Sequence, residues 1–142
     1  MLKSIKMDNR KTVFLSGPMR GIPRSEGLAW RNKIKDILGK NFTVLHAYRG
    51  REEKESFTDP RGAVIRDKND IFRSEIVIVN DTNPNASMIG TAMEVYLAHS
   101  LNKIVIIFGQ AHVDDYWLNY HSHIRAKDLE EACDIVNKLF ID

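Results

Sequence analysis

The sequence predicts a doubly wound α/β sandwich with a mainly parallel central sheet. Three observations carry this. Ile76-Val77-Ile78-Val79 and Ile104-Val105-Ile106-Ile107-Phe108 are almost wholly apolar, as strands buried on both faces of a parallel sheet must be. The segment between them, residues 89–101, has a helical apolar period. Strand-like and helix-like segments alternate along the chain, which implies right-handed crossovers between parallel strands.

The elements follow in order. Thr12-Val13-Phe14-Leu15-Ser16 is a β-rich run closed by Gly17-Pro18, a first strand. Residues 25–39 place Trp30, Ile34, Ile37 and Leu38 on one helical face and stop at Gly39. Phe42-Thr43-Val44-Leu45 is a second strand, and residues 48–59 are a highly charged, mobile loop. Asp59-Pro60 reads as an N-cap followed by proline in the first turn of a helix. That helix carries Val64, Ile65, Ile71 and Phe72 on its apolar side. In the helix over residues 89–101 the expected core face is Ile89, Met93, Tyr96, Leu97 and Leu101. A last helix starts near Asp128, with Glu131 placed for a capping box. Its buried stripe is Leu129, Ala132, Cys133, Val136 and Phe140. Ligands of such folds bind beyond the carboxyl ends of the strands, so residues 16–21, 80–90 and 109–120 are expected around one crevice.

Composition narrows the function classes. The 142 residues are of single-domain size, 43% hydrophobic and 28% charged, with no repeat or linker, and are read as one domain over 1–142 with 1–11 flexible. A net charge of +2 gives no ground for a nucleic-acid or membrane partner. No apolar run reaches the ~18 residues of a membrane span, and the polar start lacks the apolar stretch of a signal peptide. The single cysteine, Cys133, rules out an internal disulfide and suits a reducing compartment, so the cytoplasm is expected. On the core stripe, Cys133 is read as packing. His46, His99, His112, His121 and His123 lack metal-ligand spacing, so no metal and no cofactor is expected. Trp117 and Tyr120 are read as subunit contact or site rim.

Two loops hold the chemistry. In Ser16-Gly17-Pro18-Met19-Arg20-Gly21 the glycines let the backbone approach a ligand, and Arg20 offers a two-pronged contact to phosphate or carboxylate. On spacing alone a tight turn with a solvated arginine is the simpler account. The loop is neither a P-loop nor a G-x-G-x-x-G turn. The run from Asn85 to Glu94 enters a helix through Gly90, and Glu94 falls about one turn inside. The macrodipole there favours an ionised carboxylate, which could face the crevice. Covalent glycosyl transfer needs such a group at an anomeric carbon, although a helix-start glutamate satisfying the dipole is the plainer reading. Asp67 and Asp70, three residues apart on the preceding helix, offer a second carboxylate for the leaving group.

The run from Phe14 to Pro18, the pattern Asp67-x-x-Asp70-Ile-x-x-Ser74-Glu75-Ile-Val-Ile-Val and above all Ile89-Gly90-Thr91-Ala92-Met93-Glu94-Val95-Tyr96-Leu97-Ala98 resemble the nucleoside 2-deoxyribosyltransferase family. Asn102-Lys103 and the run from Trp117 to Ser122 are similar to it too, so the resemblance spans roughly residues 12–135. It implies a flavodoxin-like three-layer sandwich, a homo-oligomer with sites at subunit interfaces, and small-molecule substrates. It implies that Glu94 displaces the base of a 2′-deoxynucleoside to form a deoxyribosyl-enzyme, which a second base or water then resolves. Asp67 matches the aspartate that contacts sugar or base and assists proton transfer. Gly17 and Gly90 match glycines of close backbone approach. The stretch from Asn119 to Ser122 resembles the segment lent to a neighbouring subunit's site. Ser16, Arg20, Asp70 and Ser87 complete the expected substrate contacts.

Two positions depart from the family pattern. Phe14 stands where many members have a tyrosine that orients the nucleophile, leaving Tyr48, Tyr96 or Tyr120 to substitute. Met88 stands where several have a polar residue. Arg20 also resembles the arginine of the related deoxynucleoside 5′-monophosphate N-glycosidases, which helps read the phosphate. Pro18 replaces their serine, and Arg20 with Ser87 or Ser122 would form the phosphate cradle. Three readings therefore stand: a transferase on free deoxynucleosides, a hydrolase of deoxynucleoside 5′-monophosphates, and a non-catalytic nucleotide sensor or sponge on the same fold. Glu94 separates the first two from the third.

Overall fold

In the computed structural model, Thr12–Ser16 (β1), Thr43–His46 (β2), Ile76–Asn80 (β3), Ile104–Phe108 (β4) and Ile124–Ala126 (β5) form one sheet in the order β2-β1-β3-β4-β5. Every pairing is parallel, with Phe14 beside both Leu45 and Val77 and Val79 beside Ile107. The structure describes residues 10–49 and 57–141. Most of the 1–11 stretch and the middle of the charged 48–59 segment lie outside the described residues.

Period-two alternation sends each strand's side chains to both faces. Val13, Leu15, Ile76, Ile78, Ile106 and Phe108 meet the helices Arg24–Leu38 (α1) and Leu129–Phe140 (α5) on one face. Phe14, Leu45, Val77, Val79, Val105 and Ile107 meet Pro60–Phe72 (α2), Ile89–Ser100 (α3) and Tyr116–Tyr120 (α4) on the other. Three layers result, as expected, and the all-parallel sheet explains why both long apolar runs had no polar side.

The caps are those the sequence specifies. Asp59 accepts from the Arg61 N–H ahead of Pro60. Asp128 accepts from the Glu131 N–H at 2.8 Å, and the Glu131 carboxylate returns to the Lys127 N–H at 2.9 Å. Leu129, Ala132, Cys133 and Val136 are buried along α5, with Phe140 packed beside them.

The faces of α2 and α3 differ from expectation. Val64, Ile65 and Phe72 are exposed on α2, whose buried residues are Asp70 and Ile71. Ile89, Met93 and Tyr96 are exposed on α3, while Thr91, Val95 and Ala98 face the sheet, and Leu97 and Leu101 are partly buried. Apolar residues surround α3, so periodicity does not select a face. Smaller side chains win the sheet side because they let the helix pack close to it. Ile37 is likewise exposed on α1, where Gly27, Arg31, Ile34 and Leu38 are buried. The short elements α4 and β5 were not expected; at five and three residues neither carries a readable period.

One buried charge cluster fixes the turns after β3 and β4. The Asp81 carboxylate, fully buried, accepts from Arg125 at 2.9 Å, from the His112 backbone at 2.9 Å, and meets His112 Nδ1 at 2.6 Å. Gly109, at φ +97°, packs against the Asp81 carbonyl, where a Cβ would come within 2.3 Å. Replacing Asp81→Ala leaves Arg125 without its buried counter-ion and the His112 N–H without its acceptor. It is expected to cost about 3 kcal/mol, read as a lower urea midpoint with unchanged slope.

Candidate active site

The strand order places a switch point between β1 and β3, and a cavity of about 580 Å³ opens there at the carboxyl ends of the strands. Gly17, Pro18, Met19 and Arg20 line it from the turn after β1, and Ser87, Ile89, Gly90 and Thr91 from the start of α3. Val64, Asp67 and Lys68 of α2 close one side, while Met93, Glu94, Tyr96 and Leu97 come from further along α3. Its size suits a nucleotide-sized ligand, and its walls are mainly apolar with a few converging polar groups.

Glu94 is the sixth residue of α3 and half-buried. Ser16, last in β1 and 1% exposed, donates from Oγ to Glu94 Oε1 at 2.6 Å. The expected ionisation by the macrodipole is not what governs this carboxyl, since the dipole's effect fades beyond the first turn. Burial pushes the Glu94 pKa up to about 7. The Ser16 hydrogen bond opposes that rise, the Asp67 charge adds to it, and the Arg31 charge opposes it.

The hydroxyl that meets Glu94 is that of Ser16, and the neighbouring Phe14 is wholly buried in the core. Tyr48 is also buried and packs its ring against Arg24 and Arg31. The start of α3 favours an anion. Its N-cap, Met88, provides no side-chain hydrogen bond, and Gly90 leaves open space where a Cβ would stand. Gly17 is different: a Cβ there would meet the Trp30 ring at 2.7 Å, so the turn needs glycine to pass that ring.

Of the expected site residues, Glu94, Asp67, Gly17, Arg20, Ser87 and Gly90 line one cavity, and Ser16 reaches Glu94 from behind it. Asp70 does not. It sits one turn further along α2, is 1% exposed, and accepts from Arg49 at 2.7 Å and Arg73 at 3.2 Å. Asn119 and Ser122 also lie off this cavity, as does the whole 109–120 segment, because it follows β4, one strand beyond the switch point. Asn119 donates to the Val113 carbonyl at 2.7 Å and accepts from Arg125 at 3.3 Å, and the Ser122 hydroxyl is directed at the Asn119 carbonyl at 3.4 Å.

Lys68 and Arg31 were not anticipated. Lys68 carries no signal beyond its neighbour Asp67. Arg31 had one: it shares the buried stripe of α1 with Gly27, Ile34 and Leu38, an arginine where an apolar residue belongs. His99, His121 and His123 cluster with Tyr96, Trp117 and Tyr120 beside α4, with His99 and His121 rings 4.9 Å apart. Among the described residues no group of three or more His, Cys, Asp or Glu side chains is arranged to hold a metal. Among them, no helix is long and apolar enough to cross a membrane.

No protein-family model and no curated protein matches the chain. Solved structures do match in fold. A 2-deoxyribosyltransferase of Bacillus psychrosaccharolyticus superposes with a TM-score of 0.70 at 17% identity, over 87% of this chain and 90% of that one. A CMP N-glycosidase of Clostridium botulinum superposes with a TM-score of 0.61 at 17% identity, over 92% and 100%. A conserved protein of Enterococcus faecalis gives 0.69 at 9% identity, over 92% and 99%. These likenesses establish the α/β fold that the three share with this chain.

Proposed function

We propose that this chain cleaves the N-glycosidic bond of 2′-deoxynucleosides or their 5′-monophosphates, with Glu94 as nucleophile and Asp67 assisting the leaving base. The observation that carries the proposal is the pairing of Glu94 with Ser16 inside a cavity that Asp67 also lines. Two structural relatives bear the names of enzymes of this chemistry, a deoxyribosyltransferase and a nucleotide N-glycosidase, and that supports the reading.

In the first step a Glu94 carboxylate oxygen bonds to C1′ as the C1′–N bond breaks. The electron pair leaves with the base nitrogen, which takes up a proton relayed by Asp67. In the second step a free base or a water attacks C1′, loses its proton, and returns Glu94 as carboxylate. Val64, Met93, Tyr96 and Leu97 give the base an apolar wall. The Ser16 hydroxyl holds Glu94 in one rotamer and takes up part of its charge.

One observation favours a phosphorylated donor. Arg20 and Lys68 line the same cavity as Ser87 and the uncapped start of α3, a set of groups suited to a dianion. Arg20→Ala is therefore expected to lower kcat/KM on 5′-monophosphates ~10-fold or more and to leave free deoxynucleosides within about twofold. Equal losses on both would remove the phosphate role.

The chain acts as one domain in this reading, in a reducing compartment such as the cytoplasm, which suits the buried free thiol of Cys133. Its exposed Tyr116, Trp117 and Tyr120 are the natural contacts of a homo-oligomer, which would bring Asn119 and Ser122 to a neighbouring site. The reaction is tested by incubating the protein with a deoxynucleoside or its 5′-monophosphate, each with and without a second free base, and separating the products. Base release or exchange is expected. Tight binding without turnover would favour the sensor instead.

A further inference from the structure

The cavity is also lined by a cation with no part in the two chemical steps, Arg31. Arg31 is 1% exposed. Its guanidinium donates to the Gly27 carbonyl at 2.8 Å and to the Gly17 carbonyl at 3.1 Å. It stacks on Trp30, 4.3 Å from the ring centre, and lies 5.1 Å from that of Tyr48. Its Nε has no hydrogen-bond partner, and among the described residues no carboxylate pairs with it directly. A guanidinium buried among carbonyls and rings, without a counter-ion in contact, is an expensive arrangement. The carboxylates whose charge reaches it are Glu94 and Asp67, which line the same cavity as Arg31.

We propose that Arg31 is a positioning residue: through the Gly17 carbonyl it fixes the turn that follows Ser16, the hydroxyl that holds Glu94, and from the same cavity wall its charge favours Glu94 as a carboxylate. The proposal rests on the reading of Glu94 as nucleophile. Arg31 touches no substrate in this scheme. The groups facing Glu94 are Ser16 from β1, Arg31 from α1 and Asp67 from α2, with Arg20, Lys68 and Tyr96 elsewhere on the cavity wall. Of these, Arg31 is the cation held in place by the fold: it has two carbonyl anchors and no freedom to turn to solvent. When Glu94 leaves C1′ in the second step, the negative charge it regains develops in the cavity that this guanidinium lines. A fixed dipole or charge aimed at developing charge is worth more than a mobile one.

The test follows the Glu94 carboxyl by carbon NMR titration in the wild type, R31K and R31Q, alongside the pH profile of kcat/KM on a deoxynucleoside and its 5′-monophosphate. R31Q is expected to move the Glu94 titration and the acid limb of activity up together by about one pH unit, so that the loss of activity is about fivefold greater at pH 6 than at pH 8. R31K, which keeps the charge, is expected to stay within about 0.3 unit. If R31Q does not fold at pH 8, it must fold at pH 5.5, where Glu94 is protonated, or when combined with Glu94→Gln. Unfolding that persists under both conditions overturns the proposal, and so does a Glu94 titration unmoved in R31Q. If the titration moves but the wild type releases base from no donor, the coupling stands and the glycosidase reading fails.

Discussion

Glu94→Gln is expected to abolish base release and at the same time to make the fold more stable above pH 7. Both effects follow from one buried carboxyl. Glutamine is close in shape and helix preference but cannot attack C1′, so no glycosyl-enzyme forms. The stability effect comes from linkage. Burial raises the folded-state pKa of Glu94 to about 7, above its unfolded value of 4.5. The protonated carboxyl is thus the form the fold prefers. Its contribution is complete below pH 4.5 and is lost as pH rises through 7, where the site must hold an unwelcome charge. Glutamine never takes that charge. The variant is expected to gain about 1–2 kcal/mol over wild type at pH 8 and almost nothing at pH 4.5, measured by urea unfolding at both values. Wild-type kcat/KM is expected to fall tenfold per unit on the acid side of about pH 7, where Glu94 is protonated. A site residue whose removal stabilises the protein is the mark of strain kept for function.

Asp67→Asn lowers turnover by ~10²-fold or more, the usual loss when a positioned proton donor and acceptor is removed. The variant has a second signature. Asp67 raises the Glu94 pKa by its charge, so asparagine lets the acid limb of the pH profile move down even as the maximum falls. A merely structural role for Asp67 predicts the loss without the shift. An unchanged rate would leave proton transfer to water, because Asp70 is held by Arg49 and Arg73 and cannot take over.

How much of this was legible in the sequence depends on how strongly one force dominated each choice. The buried parallel strands were, because Ile76-Val77-Ile78-Val79 and Ile104-Val105-Ile106-Ile107-Phe108 leave no polar face. So were the caps at Asp59 and Asp128, whose side chains have one good local use. The inward faces of α2 and α3 were not. Val64, Ile65, Ile89, Met93 and Tyr96 are as apolar as core residues, yet they sit at the cavity rim or on the outer surface. A hydrophobic pattern does not separate a core from a binding wall.

The sequence grouped several residues that the fold brings to one cavity. Gly17, Arg20, Asp67, Ser87, Gly90 and Glu94 meet in one cavity. Ser16, read as a substrate contact, donates to Glu94, a contact 78 residues apart in sequence that only the β1–β3–α3 packing creates. The ionisation of Glu94 was misjudged because a helix start suggests a dipole, whereas depth of burial decides. Asp70 was placed by motif, and the turn of α2 takes it to Arg49 and Arg73, while Asn119 and Ser122, expected at a neighbouring subunit's site, lie off this chain's own cavity.

The central claim is a covalent bond between Glu94 and C1′ of the donor sugar. The direct measurement is to mix the protein with a deoxynucleoside or its 5′-monophosphate, quench within the first turnovers, and map the peptides by mass spectrometry. The account predicts the added mass of the sugar, or of the sugar phosphate, on the peptide carrying Glu94, and its absence in Glu94→Gln. Steady base release with that peptide unmodified, and release undiminished in Glu94→Gln, would contradict it.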